Sequence, residues 1–434
     1  MLVRAQALAE RLRASLFFVP MAFVVAGVVL GLVLVEVDQE LIESPGDLPF
    51  VLTSTVDSSR AVLGTIASAT ITVAGIAFSI SLLVIQLASS QYSPRVVHGL
   101  LRDRFSKRVM GVVVGTFTYC LIVLRSVRGP LEEDGTPVIP NLSVTIAVVF
   151  GVVAILSIVA FIDHSAHAMD VSRLLGDASE RGVRNARRIW RDEARSEPEA
   201  PLAEPPADHL VVTHATGGWV QHIALDAVVG VAPPGGTVRL ETEVGRYAVV
   251  GTPLCAVWPV PDDVDEACER ARDAVVTGAS RTAEQDVGYA VRQLADVALR
   301  ALSPSVNDPT TAQDAMFNAA SVLGELLERR PPPLVTSSDG ERSLVRPERL
   351  DHADVIAIAF DEVRHAAAGM PAVAVYLLEV LHLLDQRAGS DPGVHEALAH
   401  QAALIRAAAR RADLLPEDVR RVEEAHDRRF GEPG

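Results

Sequence analysis

From Ala61 to Leu87 the chain carries no charged side chain, and an apolar run of that length has few places to fold other than across a bilayer. The ~30 Å hydrocarbon core takes about 20 helical residues, and a helix satisfies its own backbone hydrogen bonds there. Three more stretches meet or approach this requirement: Ser15 to Val35, Val109 to Val127 and Leu142 to Ile162. The third span in chain order is interrupted by Arg125, whose long side chain has to reach the interface. The first is too long for a secretory leader, whose apolar region is about 7–15 residues. Glu36, Asp38 and Glu40 also follow it where a small-residue cleavage site belongs.

These runs predict a mainly α, polytopic membrane protein with a membrane domain over 1–165. Its transmembrane helices lie at about 15–35, 61–87, 109–127 and 142–162. Arginine placement sets the orientation. Arg4, Arg11 and Arg13 precede the first span, and Arg95, Arg102, Arg104, Lys107 and Arg108 lie between the second and third. Arg173, Arg181, Arg184, Arg187, Arg188 and Arg191 follow the fourth, while the other two loops are acidic. Both termini are therefore expected in the cytoplasm of a bacterial inner membrane. A short helix starting at Ser93-Pro94, with Val96, Val97, Leu100, Leu101 and Phe105 on its apolar side, is expected to lie in the interface.

Within the second span, Thr65, Ser68, Thr72, Gly75, Ser79 and Gln86 recur at a 3.5-residue period and so share one stripe. Small and hydroxyl side chains on one stripe serve close helix packing or, in an assembly of several copies, the polar wall of a pore. No ionisable residue belongs to the stripe, so it is not a proton relay. At the end of the fourth span, Asp163, His167 and Asp170 share a helical face whose residue types suit a metal or a pH response. The ordinary use of such groups at a membrane exit is contact with water and head groups.

Nearly all of the net charge of −16 falls after Ser165. A half-chain so acidic repels nucleic acid, so no nucleic-acid partner is expected. Cys120, Cys255 and Cys268 are too few and too scattered for a zinc site or disulfide framework. They read as buried thiols. An arginine-rich juxtamembrane helix is expected over 166–195 and a proline-rich acidic linker over 196–208. A small antiparallel β module follows over 209–260, with strands at Leu210 to Thr213, Trp219 to Ile223, Thr237 to Glu243 and Leu254 to Trp258. The run Val244 to Leu254 looks like the turn-rich half of lipoyl-carrier barrels. The module has no lysine to carry such a group, and no cofactor is expected.

From 261 to 434 the apolar period becomes helical. Val287, Ala290, Val291, Leu294, Val297 and Ala301 mark one face, and Val373, Leu377, Val380, Leu381 and Leu384 mark another. His395, Glu396 and His400 imitate a zinc-protease motif, but residues five apart do not share the face that ligation requires. Asp308 and Pro309 read as the cap and first residue of a helix. The turn around them presents Asn307, Asp308, Thr310 and Thr311, a candidate binding turn for an anion or a partner loop. No phosphate loop or nucleophile elbow occurs, and an enzyme is the least supported class.

The segments Ile71 to Ser79 and Gln86 to Arg95, together with Glu284-Gln285-Asp286 and Ser303 to Ala312, resemble a bacterial family of membrane proteins of unknown function. The resemblance runs through nearly the whole chain. It implies a shared architecture of four membrane helices and a cytoplasmic domain, with no catalytic residues to carry over. Two functions fit these features. The first is a homo-oligomeric channel or transport protein with the second span at its axis. The second is a membrane-anchored scaffold that binds a soluble protein partner.

Overall fold

A computed structural model of the chain describes residues 18–43, 55–91, 104–127, 140–167, 170–192, 202–338 and 342–431. They divide into two compact units, Met1–Asp170 and Val171–Gly434. The first unit contains helices α1 (Phe18–Glu43), α2 (Val56–Gln91), α3 (Arg104–Ser126) and α4 (Asn141–His167). Each is long and apolar enough to cross a membrane. The expected interfacial helix falls on 92–103, outside the described residues, and Phe105 belongs to α3.

The least apolar span turns out to be the most enclosed. Helix α3 packs against all three of the others, so less of its surface has to suit lipid, and it begins at Arg104, ahead of the apolar run. Large apolar side chains instead cover the outward faces of α1 and α4, among them Val25, Val29, Ile155 and Leu156. Two Gly-x-x-x-Gly pairs join α1 to α3. A Cβ on Gly27 would stand 2.6 Å from the Gly115 carbonyl oxygen, and one on Gly111 2.6 Å from the Phe23 ring. Glycine here permits backbone approach that any side chain would prevent.

At one end of this bundle, Asp38 of α1 caps α4. Its buried carboxylate accepts hydrogen bonds from the Leu142 and Ser143 amides at 3.0 and 2.9 Å and from the Ser143 hydroxyl at 2.5 Å. Two of the four N–H groups that every helix start leaves open are thereby satisfied. Tyr119 donates to the Ser143 carbonyl at 2.9 Å, and Arg60 to the Val127 carbonyl at 2.9 Å. Side chains and backbone from all four helices meet at this end of the bundle, beside the N-terminus of α4.

The second unit opens with α5 (Val171–Ile189) and β1 (Arg191–Asp192). The arginine-rich stretch is an integral helix of this unit. Leu175, Ala178, Gly182 and Ala186 are buried where α5 packs on α8 (Val287–Ala301) and α9 (Pro309–Leu327). A Cβ on Gly182 would lie 2.8 Å from Val322 and 3.0 Å from Ala290. Its arginines remain outside, and Arg187 reaches Glu325 at 2.9 Å.

The expected strands appear as β2 (Leu210–Thr213), β3 (Gly218–Ile223), β4 (Thr237–Leu240) and β6 (Pro253–Trp258), with β5 (Tyr247–Ala248) between the last two. They do not close a module by themselves. Strands β7 (Val275–Gly278), β9 (Val335–Ser338) and β10 (Arg342–Val345) come from the segment read as wholly helical. They complete two sheets of order β2-β6-β4-β10-β9 and β5-β3-β7. Nor is the pairing purely antiparallel, because β10 runs parallel to β4. Val212, Val238, Leu240, Leu254, Val257 and Leu344 form the sheet core, joined by Ala267 and Ala271 of α7 (Val264–Asp273); a short α6 (Leu225–Val229) also packs there.

Helices α8 and α9 continue into α10 (His352–Ala366), α11 (Pro371–Arg387), α12 (Pro392–Arg411) and α13 (Pro416–Phe430), and β8 (Arg329–Arg330) returns to pair with β1. Both helical faces marked in the sequence are buried. Aspartates cap the starts: Asp263, Asp286, Asp308, Asp351 and Asp391 each accept a backbone N–H of the helix they precede. Cys255 is buried and Cys268 half-buried, and burial pushes the Cys255 thiol up to about 12.

Candidate functional site

The stripe on α2 is exposed along its length, although Thr65 at its start also lines an apolar groove between α2 and α4. Leu63, Ala67, Thr70 and Ala77 form the buried side of the helix, whereas Thr65, Ser68, Thr72, Gly75, Ser79 and Gln86 are all exposed. A Cβ built on Gly75 meets nothing within 4 Å. Among the described residues, close packing within the chain therefore does not explain the stripe; that role belongs to Gly27, Gly31, Gly111 and Gly115. Those two glycine pairs carried a legible signal in their four-residue spacing.

Three hydroxyls of the stripe are satisfied by their own helix. Thr65 donates to the Ala61 carbonyl at 2.7 Å, Thr72 to Ser68 at 2.8 Å and Ser79 to Gly75 at 2.9 Å. Each oxygen keeps accepting capacity on an otherwise apolar exterior. Ile71, Ile76, Phe78, Leu82 and Leu83 flank it as exposed apolar side chains. A narrow line of small and polar groups between two apolar flanks is the resulting surface.

The turn at 303–312 behaves as a helix start. Asp308 accepts from the Thr311 amide at 3.1 Å and the Thr311 hydroxyl at 2.6 Å, and Pro309 is the first helical residue. The Thr311 hydroxyl, with the backbone N–H groups, holds the Asp308 carboxyl below its usual range. A carboxylate already fills the place an anion would take. Asn307, at φ 49°, and Thr310 remain exposed on the turn.

Of the candidate ligands at the end of α4, Asp163 and His167 meet, the His167 Nδ1 lying 3.5 Å from the Asp163 carboxylate. His167 Nδ1 lies 2.8 Å from the Asp163 carbonyl oxygen, a local helical contact. No three metal-ligating side chains, Asp170 included, come together among the described residues. His395 is likewise engaged, its Nδ1 2.7 Å from Asp385 and its Nε2 3.0 Å from the Gly389 carbonyl. The Asp385 hydrogen bond raises the His395 imidazole above its ordinary value.

That shift favours the folded state when the ring is protonated. The contribution is fully present below the unfolded value and is lost as pH rises through the folded one. Because the ring is partly exposed, the effect is modest. Urea unfolding midpoints are expected to be higher at about pH 6 than at about pH 9, and His395→Gln should remove this component of the difference.

The triplet Glu284-Gln285-Asp286 forms a joint between sheet and helix. Gln285 accepts from the Ile223 amide at 3.0 Å and donates to its carbonyl at 3.5 Å, clamping the end of β3. Asp286 caps α8 through the Tyr289 amide at 2.9 Å and binds Arg281 through contacts of 2.9 and 2.7 Å. The Arg281 guanidinium sits 5.7 Å from the Trp219 ring centroid and 5.2 Å from that of Tyr289. Gly245, at φ +87°, leaves no room for a Cβ against this pair.

Among known proteins, the chain is similar to an uncharacterized protein of Mycobacterium bovis, 29% identical over 421 residues, covering 95% of this chain and 79% of the relative. An uncharacterized protein of Mycobacterium tuberculosis matches with the same identity and coverage. No solved structure matches. The family described as "Predicted membrane protein (DUF2254)" matches residues 13–382. Four membrane-length helices and a match over most of the chain make this protein a member of that family.

Proposed function

We propose that the chain is one subunit of a homo-oligomeric channel or transport protein of the bacterial inner membrane. In this reading α2 lines the shared axis, both termini are cytoplasmic, the second unit regulates the assembly, and no reaction is catalysed. The carrying observation is the stripe from Thr65 to Gln86, whose side chains are all exposed among the described residues. Several copies around an axis would turn it toward water, and a lone four-helix subunit encloses no such path.

Thr72→Cys and Ser79→Cys are expected to react with a membrane-impermeant thiol reagent, and Thr72→Leu to alter single-channel currents of the purified protein in planar bilayers. Protection along the whole stripe together with silent bilayers would overturn the channel. A membrane-anchored scaffold would then be favoured. It draws support from Tyr247, Val249 and Val250, three exposed apolar side chains close together in the second unit, where a soluble protein could dock.

A further inference from the structure

Strands β1 and β8 form a two-stranded ribbon in which Asp192 stands opposite Arg329 and Arg191 opposite Arg330. The first pair is electrostatically closed, because Arg329 reaches Asp192 at 2.5 Å and Glu325 at 2.8 Å. The second is open. Arg191 and Arg330 are both exposed, and neither forms an ion pair among the described residues. Like charges facing each other across antiparallel strands repel, so this pair gains from an anion placed between them.

The two arginines line a cleft of about 370 Å³ together with Arg349, Pro331, Pro333 and His352. That volume falls in the range of small-molecule sites. His352 is fixed in place, its Nε2 donating to the Arg329 carbonyl at 2.8 Å and its ring packing edge-on against Trp190 at 5.1 Å. Asp351 and Asp391 also line the cleft, but each is engaged in capping a helix, taking the Asp354 amide at 2.8 Å and the Gly393 amide at 2.9 Å. An adjoining cleft of about 550 Å³ shares Arg191 and Pro333 and adds Arg188. Its Arg346 is neutralised by Glu243 at 2.6 Å.

This concentration of guanidinium groups lies in the half of the chain that holds nearly all of its net charge of −16, so it is a local exception to the surrounding field. Guanidinium forks match phosphate oxygens in pairs. We propose that the cleft binds a phosphate group, held between Arg191 and Arg330, with the organic part of its carrier against Pro331 and Pro333. A soluble phosphate ester and a phospholipid head group share this chemistry.

The test is equilibrium dialysis of labelled inorganic pyrophosphate against the full chain in phosphatidylcholine nanodiscs at fixed ionic strength. Saturable binding is expected, weakened about tenfold or more by Arg191→Gln or Arg330→Gln. Arg420→Gln, at an exposed arginine paired with Glu417 on α13, should leave it unchanged. Circular dichroism of each variant confirms that it is folded, which exposed positions make the expected result. In discs containing phosphatidylglycerol, undiminished binding points to a soluble ester, and competition by the lipid points to a head group. Both outcomes uphold the site. Absence of saturable binding in the neutral discs, or equal weakening by Arg420→Gln, overturns it.

Discussion

Asp286→Ala is expected to destabilise the second unit by about 3–5 kcal/mol, the usual range for breaking a buried ion pair from one side. The carboxylate is almost fully enclosed, with a side-chain exposure of 1%, and Arg281 retains 21%. Removing the acid strands a guanidinium between Trp219 and Tyr289 and opens the first turn of α8. Trp190, Trp219 and Trp258 are the chain's only tryptophans, and all lie in this unit, so denaturant unfolding followed by their fluorescence isolates it from the membrane helices. Asp286→Asn keeps an oxygen for the cap and is expected to cost less than the alanine. A loss below about 1 kcal/mol would show that the Gln285 clamp, and not the ion pair, holds the joint.

Gly27→Leu is expected to have the largest effect in the membrane unit. Its Cβ would press on backbone, the Gly115 carbonyl oxygen, which has no rotamer by which to move aside. Overpacking typically costs about 1–3 kcal/mol, and a contact with rigid backbone belongs at the upper end. Helix α3 packs on every other span, so displacing α1 from it loosens the whole bundle. Cys120 on α3 is fully buried, and its rate of thiol labelling, resolved by peptide mapping, is the readout; faster labelling is expected. Gly75→Leu is the informative counterpart, because nothing among the described residues crowds that position. It should leave Cys120 protected while narrowing the axial path and lowering the single-channel current, and an unchanged current would count against α2 as the pore lining.

The spans and their order were legible because length and absence of charge suffice to mark them. The inward and outward sides were harder to read. The stripe on α2 and the glycines of α1 and α3 belong to the same vocabulary of small residues, yet one faces out and the others lock helices together. Only the partner helix distinguishes them, and a partner is not a local property of sequence. Asp38 shows the same limit, since an acid in a loop-like stretch gave no sign that it would cap a helix beginning at Asn141. Caps that act on their own helix, such as Asp308 ahead of Pro309, were readable because cause and effect lie within four residues.

The strands divide along the same line. Strands β2, β3, β4 and β6 are bounded by Gly and Pro, whereas Val275–Gly278 and Arg342–Val345, no shorter than β2 and β4, sit beside long helical patterns. The joint at Glu284-Gln285-Asp286 was visible as a signature, but its work was not. Trp219, which helps complete it, is supplied by β3, and the contacts of Arg281, five residues before Asp286, appear only once the chain has folded. Arg191 and Arg330 were equally hidden, their confrontation created by pairing between positions far apart in the chain.

The parallel pairing of β10 with β4 also dictates an order of events during synthesis. Strand β4 leaves the ribosome with β6 soon behind it, but its other edge has no mate until Arg342–Val345 has been made. At about 5–20 residues per second that edge waits for several seconds, a bare row of amides and carbonyls beside a growing set of helices. Unpaired edges of this kind are templates for pairing with the wrong chain. On a polysome, where nascent copies crowd together at a membrane, the helices between Val287 and Leu327 must condense quickly enough to bring the missing strand home before a neighbour supplies one.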